Sequence, residues 1–229
     1  MKIRINYLAI GLFYTIAIVL RYVTNKTGLL EGVSNSFVKV ILQGAGPAVG
    51  ALVSFSVFKI KPVLSLRGNY KNLFFPFMLY WGLPIVLILT AEYVSRGTLS
   101  FVAVSAILIY GLLEEIGWRG FLQQELKKLP LFASTLIIAV LWFVWHLNFE
   151  MTSANAFFFG ILVLGSWGIG KVADNTYSLL AVSAFHSLNN FFPQMNAVKM
   201  AILATCLCLW VFMLVVRKRK AQKTELISA

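Results

Sequence analysis

The chain alternates between long apolar runs and short polar breaks. Eight runs of about 17–24 residues, the length a ~30 Å hydrocarbon core requires of a helix, lie near 5–23, 37–58, 73–91, 99–122, 131–149, 155–172, 176–193 and 197–216. They predict an all-α fold, a polytopic integral membrane helical bundle of about eight transmembrane helices. Ala173-Asp174-Asn175 is the whole break between the sixth and seventh runs, which predicts a tight helical hairpin turning there. Phe121–Pro130 is polar, basic and closed by a proline, so it is expected to carry the fourth helix out of the bilayer as an amphipathic extension. In the second run Gly46 and Gly50 stand four apart around Pro47, a spacing that suits close helix contact and a kink.

Composition agrees with the pattern. Of the 229 residues 59% are hydrophobic and 12% charged, about half the charged share of an average soluble domain, and the mean hydropathy is +0.82. The apolar runs leave no stretch long enough for a separate soluble domain. Residues 1–229 are therefore expected to form one membrane domain: N-terminal helices over 1–98, chemistry-bearing helices over 99–193, and a last helix with a basic cytoplasmic tail over 194–229, disordered at its end. The apolar stretch after Lys2 and Arg4 contains Arg21 and lacks a small-x-small cleavage site, so it is expected to be a retained span.

The formal net charge is +12, which raises nucleic acid as a partner. The placement of the basic residues excludes it, because they fall in short loops and at the termini. With both termini cytoplasmic, fourteen lysines and arginines lie on the inner side and four, Lys26, Lys39, Arg96 and Lys199, on the outer, as the positive-inside rule requires. The expected partner is the lipid bilayer. Cys206 and Cys208 point to different sides of one helix and form no metal-ligand pattern; both are expected to be packing residues.

Candidate chemistry is concentrated in the second half. Glu114 and Glu115, two of only eight acidic residues, stand with Arg119 at the end of the fourth run. Ionisable groups inside a span are costly, and their default reading is functional. Glu115 and Arg119 are four apart and can pair along one face, which leaves Glu114, about 100° round the helix, free to meet another neighbour. The chain's two histidines, His146 and His186, also fall within predicted spans. If the helices turn at Pro130 and Asp174, Glu114, His146 and His186 stand ~18–24 Å from those turns and can share one layer. His186 and Asn190, again four apart, face one side. A carboxylate beside a histidine can activate water, and a second histidine with a carboxamide can stabilise an oxyanion, the parts of a hydrolytic site for an amide or ester. The residues also allow a zinc site of Glu114, His146 and His186 with an open fourth position.

Glu114-Glu115-x-x-x-Arg119, Trp142-x-x-x-His146 and His186-x-x-x-Asn190, in that order on successive helices, resemble the three-motif signature of the CPBP family, the CAAX proteases and bacteriocin-processing enzymes. The motifs cover about Gly111 to Asn190; the first three spans match only in being hydrophobic. The family's second motif usually begins with Phe, where this chain has Trp142. The resemblance implies an intramembrane endopeptidase in which Glu114 and His146 activate the attacking water, His186 and Asn190 stabilise the oxyanion, and Glu115 and Arg119 support the site. It further implies a peptide or lipidated peptide as substrate, in peptide-pheromone or bacteriocin processing or in self-immunity, at a bacterial plasma membrane. The family is often labelled a metalloprotease; a metal-free, glutamate-activated water explains the same residues and also accounts for Asn190. Two other classes compete with a peptidase. A transporter component would use Glu114, Glu115 and Arg119 to line an ion path, but expects polar residues spread over more spans. A non-catalytic immunity or scaffold protein would bind a peptide without cutting it.

Overall fold

A computed structural model describes residues 5–98, 101–191 and 197–228. Among these residues the chain forms eight helical rods and one isolated extended bridge, Ser65 to Ser178. Helix α1 is Tyr7–Lys26 and α2 is Ser36–Val57. Helix α3 joins Tyr70–Phe77, a π-helical stretch Met78–Gly82 and Leu83–Arg96. Helix α4 joins Phe101–Glu115, a second π-helical stretch Ile116–Gln123 and the short turn Gln124–Leu126. Then come α5, Leu131–Trp145, α6, Ser153–Thr176, α7, Leu179–Phe191, and α8, Ala197–Ser228.

The polytopic all-α expectation holds. Among the described residues five helices are long and apolar enough to cross a membrane, Tyr7–Lys26, Ser36–Val57, Asn72–Ser95, Phe101–Leu126 and Ser153–Thr176, and three shorter apolar helices accompany them. Polarity is inverted relative to a soluble protein. Leu8 and Phe132 point outward, 77% and 76% exposed, while Glu114, Glu115 and Arg119 are buried. Such an apolar exterior suits lipid.

Helix ends are closed by side chains. Asn6 accepts from the Ala9 N–H, Asn35 from the Phe37 and Val38 N–H groups, and Thr152 from the Asn155 N–H, each satisfying donors that a helix start leaves free.

Several boundaries differ from the expected ones. The α6–α7 turn lies at Tyr177-Ser178, with Asp174 inside the last turn of α6. The cause is the segment after α2. Ser65 N–H donates to Tyr177 O, Asn69 N–H to Thr176 O, and Leu179 N–H to Ser65 O, which fixes Tyr177 in the left-handed region at φ 52°. The stretch after Gly120 does not project as an extension. Phe121, Leu122, Glu125 and Leu126 are buried, and the Phe121 ring meets Phe13 of α1 and Phe55 of α2 at 5.0 and 5.3 Å. Its apolar positions share one side and dock there. Helix α5 stops at Trp145 with His146 as its cap, and Leu147 follows at φ 55°. Helix α8 stays helical through Ser228, because Arg, Lys, Ala, Gln and Glu there are all favourable helix formers.

The Gly46/Gly50 reading holds physically. A Cβ on Gly46 would stand 2.8 Å from Ala17 O, and one on Gly50 2.5 Å from Phe13 O, so α1 and α2 touch backbone to backbone. Pro47 lies inside α2 and has no N–H for the Gln43 carbonyl one turn back. The Arg21 guanidinium of α1 fills that role, Nη1 donating to Gln43 O at 3.2 Å. On its other side Pro47 meets α4, where a Cβ on Gly117 would come within 2.5 Å of its ring. Thus α1, α2 and the π-helical part of α4 are clamped together directly below Glu115. Gly50→Leu is expected to force α1 from α2 at a cost of about 1–3 kcal/mol, read as a lower unfolding temperature of the detergent-solubilised protein.

Candidate active site

Glu114 and Glu115 end the α-helical part of α4, immediately before the π-helical turn Ile116–Gln123. A π turn inserts a residue and widens the helix, a feature frequent at functional sites. Both carboxylates are buried, so their partners must come from the protein.

Glu115 is met from two directions. Arg119 Nη1 donates to its Oε1 at 2.8 Å, and His186 Nδ1 on α7 lies 2.5 Å from the same oxygen. The expected Glu115–Arg119 pair is therefore formed, and His186 joins it. Arg119 also reaches α6, its Nη2 3.5 Å from Gly165 O, and lies 4.7 Å over the Trp142 ring.

Glu114 is met by indoles. Trp142 Nε1 donates to its Oε2 at 2.8 Å, and Trp118 Nε1 to the same atom at 3.3 Å. The residue that departs from the family's usual Phe thus supplies a hydrogen bond no Phe can make. The Tyr110 hydroxyl sits beside Glu114 and takes a long contact, 3.5 Å, from Arg21 Nη1. Arg21 in turn stacks 4.3 Å over the Trp145 ring.

Trp142 is the hub of the cluster. Its ring centroid lies 5.1 Å from that of His186, 6.3 Å from His146 and 6.2 Å from Trp118. His146, at the end of α5, is held by ring contacts to Trp145 and Phe158 at 5.2 and 4.8 Å. Its Nδ1 stands 2.8 Å from Trp142 O. A carbonyl only accepts, so Nδ1 carries the proton and Nε2 is left as an acceptor. His186 Nδ1 likewise carries a proton, because the atom it faces is a carboxylate oxygen, Glu115 Oε1. Both rings fall within electrostatic reach of Glu114.

Five of the six residues singled out from the sequence are thus brought to one region, in two degrees. Glu114, Glu115, Arg119 and His186 form a contiguous cluster with Trp142. His146 reaches it through Trp142, and Asn190 lies one turn beyond His186, its Nδ2 buried without a hydrogen-bond partner among the described residues. Sequence reasoning missed Tyr110, Arg21 and the donor role of Trp142. Tyr110 stands four residues before Glu114 on the same helix, which is the signal that would have found it; Arg21 carried only the anomaly of a charge within a span.

The zinc set does not fit this arrangement. Among the described residues no group of three His, Cys, Asp or Glu side chains is placed to hold a metal ion. Glu114 Oε2 is directed at two indole N–H groups, and His186 Nδ1 is directed at Glu115.

A helical membrane bundle with a buried carboxylate–imidazole cluster is the class of molecule this geometry defines. Residues 95–192 match the family model described as Type II CAAX prenyl endopeptidase Rce1-like, a family of proteases, and the resemblance read from the three motifs is borne out over this stretch. All three motifs lie within it; α1 and α2 lie outside. No curated protein matches the chain.

Two substitutions test the cluster as a structural unit. Trp142→Phe keeps the ring and removes the shorter donor to Glu114, at an expected cost of about 1–3 kcal/mol in thermal or denaturant unfolding. Arg119→Met leaves Glu115 buried without its cation, at about 3–5 kcal/mol, and adding Glu115→Gln is expected to recover part of that loss.

Proposed function

We propose that this chain is an intramembrane endopeptidase that hydrolyses a peptide bond of a membrane-associated peptide. The observation that carries the reading is the convergence of Glu114, Glu115, Arg119, His146 and His186 around Trp142, inside the stretch that matches a protease family.

In this reading Glu114 is the general base. Two indole donors fix its Oε2, and its remaining lone pairs take a proton from water as the water oxygen attacks the peptide carbonyl carbon. His146 assists through Nε2, holding the second water hydrogen. The carbonyl oxygen becomes an oxyanion. The Asn190 Nδ2 group donates to it, and so does Nε2 of a His186 imidazolium whose Nδ1 is directed at Glu115. Collapse of the tetrahedral intermediate breaks the C–N bond, and the proton held by Glu114 passes to the leaving amine. Arg119 holds Glu115 in place. The step needs no metal: the carboxylate activates the water, and the two donors polarise the carbonyl and hold the oxyanion.

The finer assignments are part of the same proposal. The substrate is a peptide or lipidated peptide, the task peptide-pheromone or bacteriocin processing or self-immunity, and the site a bacterial plasma membrane. Both termini are placed in the cytoplasm by the bias of basic residues.

The test is cleavage of membrane-reconstituted peptides by wild type, Glu114→Gln and His146→Ala. Each variant is expected to lose about 10²–10⁴-fold in kcat, and a zinc chelator is expected to leave the wild-type rate unchanged. Undiminished cleavage by both variants would sink the assignment. If wild type cuts nothing and all three proteins give the same cellular phenotype, the molecule is a binding scaffold.

A further inference from the structure

A row of polar side chains runs one turn apart down α4: Glu115, Arg119, Gln123 and Lys127. Facing it on α6 is a second row, Ser166, Gly170 and Asp174. The two rows are laced at intervals. Lys127 Nζ pairs with Asp174 Oδ1 at 3.1 Å, Gln123 Nε2 donates to Asp174 Oδ1 at 3.3 Å and to Gly170 O at 3.2 Å, and Arg119 Nη2 reaches Gly165 O. Lys127 and Asp174 are substantially exposed, whereas Glu115 is buried at the other end. The seam therefore leads from one end of the bundle to the carboxylate cluster.

The lacing is incomplete in one particular way. Gln123 Oε1, Ser166 Oγ, Arg119 Nε and Glu115 Oε2 are all buried with no hydrogen-bond partner among the described residues, four of the eight such atoms. A buried polar group without a partner costs about 1–3 kcal/mol, and apolar side chains would fill the same space without that penalty. Buried polar groups that lack protein partners are the groups that hold internal water. Space is present as well. A cleft of about 240 Å³ is bordered by Gln123, Lys127, Ser166 and Asp174, and a smaller one of about 30 Å³ by Arg119, Gln123 and Lys127. A single water requires on the order of 10–15 Å³ by this measure. Ser166 is 2% exposed, yet it borders the larger cleft, so its hydroxyl marks how deep the polar surface extends.

We propose that the seam between α4 and α6 is a water-filled conduit from the Lys127–Asp174 end of the bundle to Glu115 and Arg119. Its use, supplying the water consumed in peptide hydrolysis, rests on the peptidase reading. Gln123 stands between the two clefts and gates the conduit; Ser166 and the Arg119 Nε group are stations along it.

Thiol labelling tests the conduit without relying on catalysis. In a Cys206→Ala/Cys208→Ala background reconstituted in liposomes, Ser166→Cys is treated with 2-aminoethyl methanethiosulfonate. Leu162→Cys, one turn away in the apolar core, is the dry reference. Ser166→Cys is expected to react at least tenfold faster, and adding Gln123→Met is expected to slow it about tenfold. Equal rates at the two positions would overturn the proposal. With a cleaved peptide in hand, Gln123→Met is expected to lower kcat at least fivefold with KM within twofold; an unchanged kcat while labelling is blocked would show that hydrolytic water arrives by another route. If wild type cleaves nothing, the peptidase reading fails, and the labelling rates still decide whether the seam is wet.

Discussion

Two adjacent carboxylates on one helix, taken out of water together, are the constraint on which the rest of this structure depends. Left unpaired in a bundle interior, each would cost several kcal/mol, so donors must be brought in from separate helices. Glu115 draws a guanidinium from its own helix and an imidazole from α7. Glu114 draws an indole from its own helix and another from α5. Because all these groups converge on the same two residues, the relative positions of α4, α5 and α7 are set by electrostatics as much as by apolar contact. Trp142 is where the two demands meet: it serves one carboxylate through its N–H and lies under the cation of the other.

The helices outside the matched stretch have a share in this arrangement. Removal of one backbone donor by Pro47 leaves the Gln43 carbonyl open, and Arg21 of α1 takes it. That places the guanidinium against Trp145 and near Tyr110, on the Glu114 side of the cluster. A proline in α2, an arginine in α1 and a tyrosine in α4 thus form one wall behind the site. It is a wall of hydrogen bonds rather than of sequence motifs, which is why α1 and α2 looked merely hydrophobic.

The legible parts of the sequence were those governed by short-range periodicity. Eight apolar runs gave eight helices, and the spacing of Glu115 and Arg119 gave their pair. The four-residue spacing of Gly46 and Gly50 gave the close contact of α1 and α2. What stayed hidden depended on long-range contacts. The α6–α7 turn moved to Tyr177 because the segment after α2 hydrogen-bonds to it, a contact between residues more than a hundred positions apart. The basic stretch after Gly120 is expected to leave the bilayer, but Phe121, Leu122 and Leu126 bury themselves, Phe121 against α1 and α2. His186, expected only to share a layer with Glu114 and His146, is bonded to Glu115. Distance from a turn carries no information about rotation about the helix axis.

Helix α5 has a consequence for the lipid around it. Its 15 residues span only about 22 Å, against ~30 Å for an average hydrocarbon core, and its outward face carries Phe132, Leu136 and Val140. Lipid beside a short apolar helix adapts by thinning. A bilayer matched to that length would be drawn in next to the helix that ends at His146, bringing the headgroup region closer to the carboxylate layer on that side. Any polar group approaching the cluster from that side would cross less hydrocarbon and shed its hydration over a shorter path.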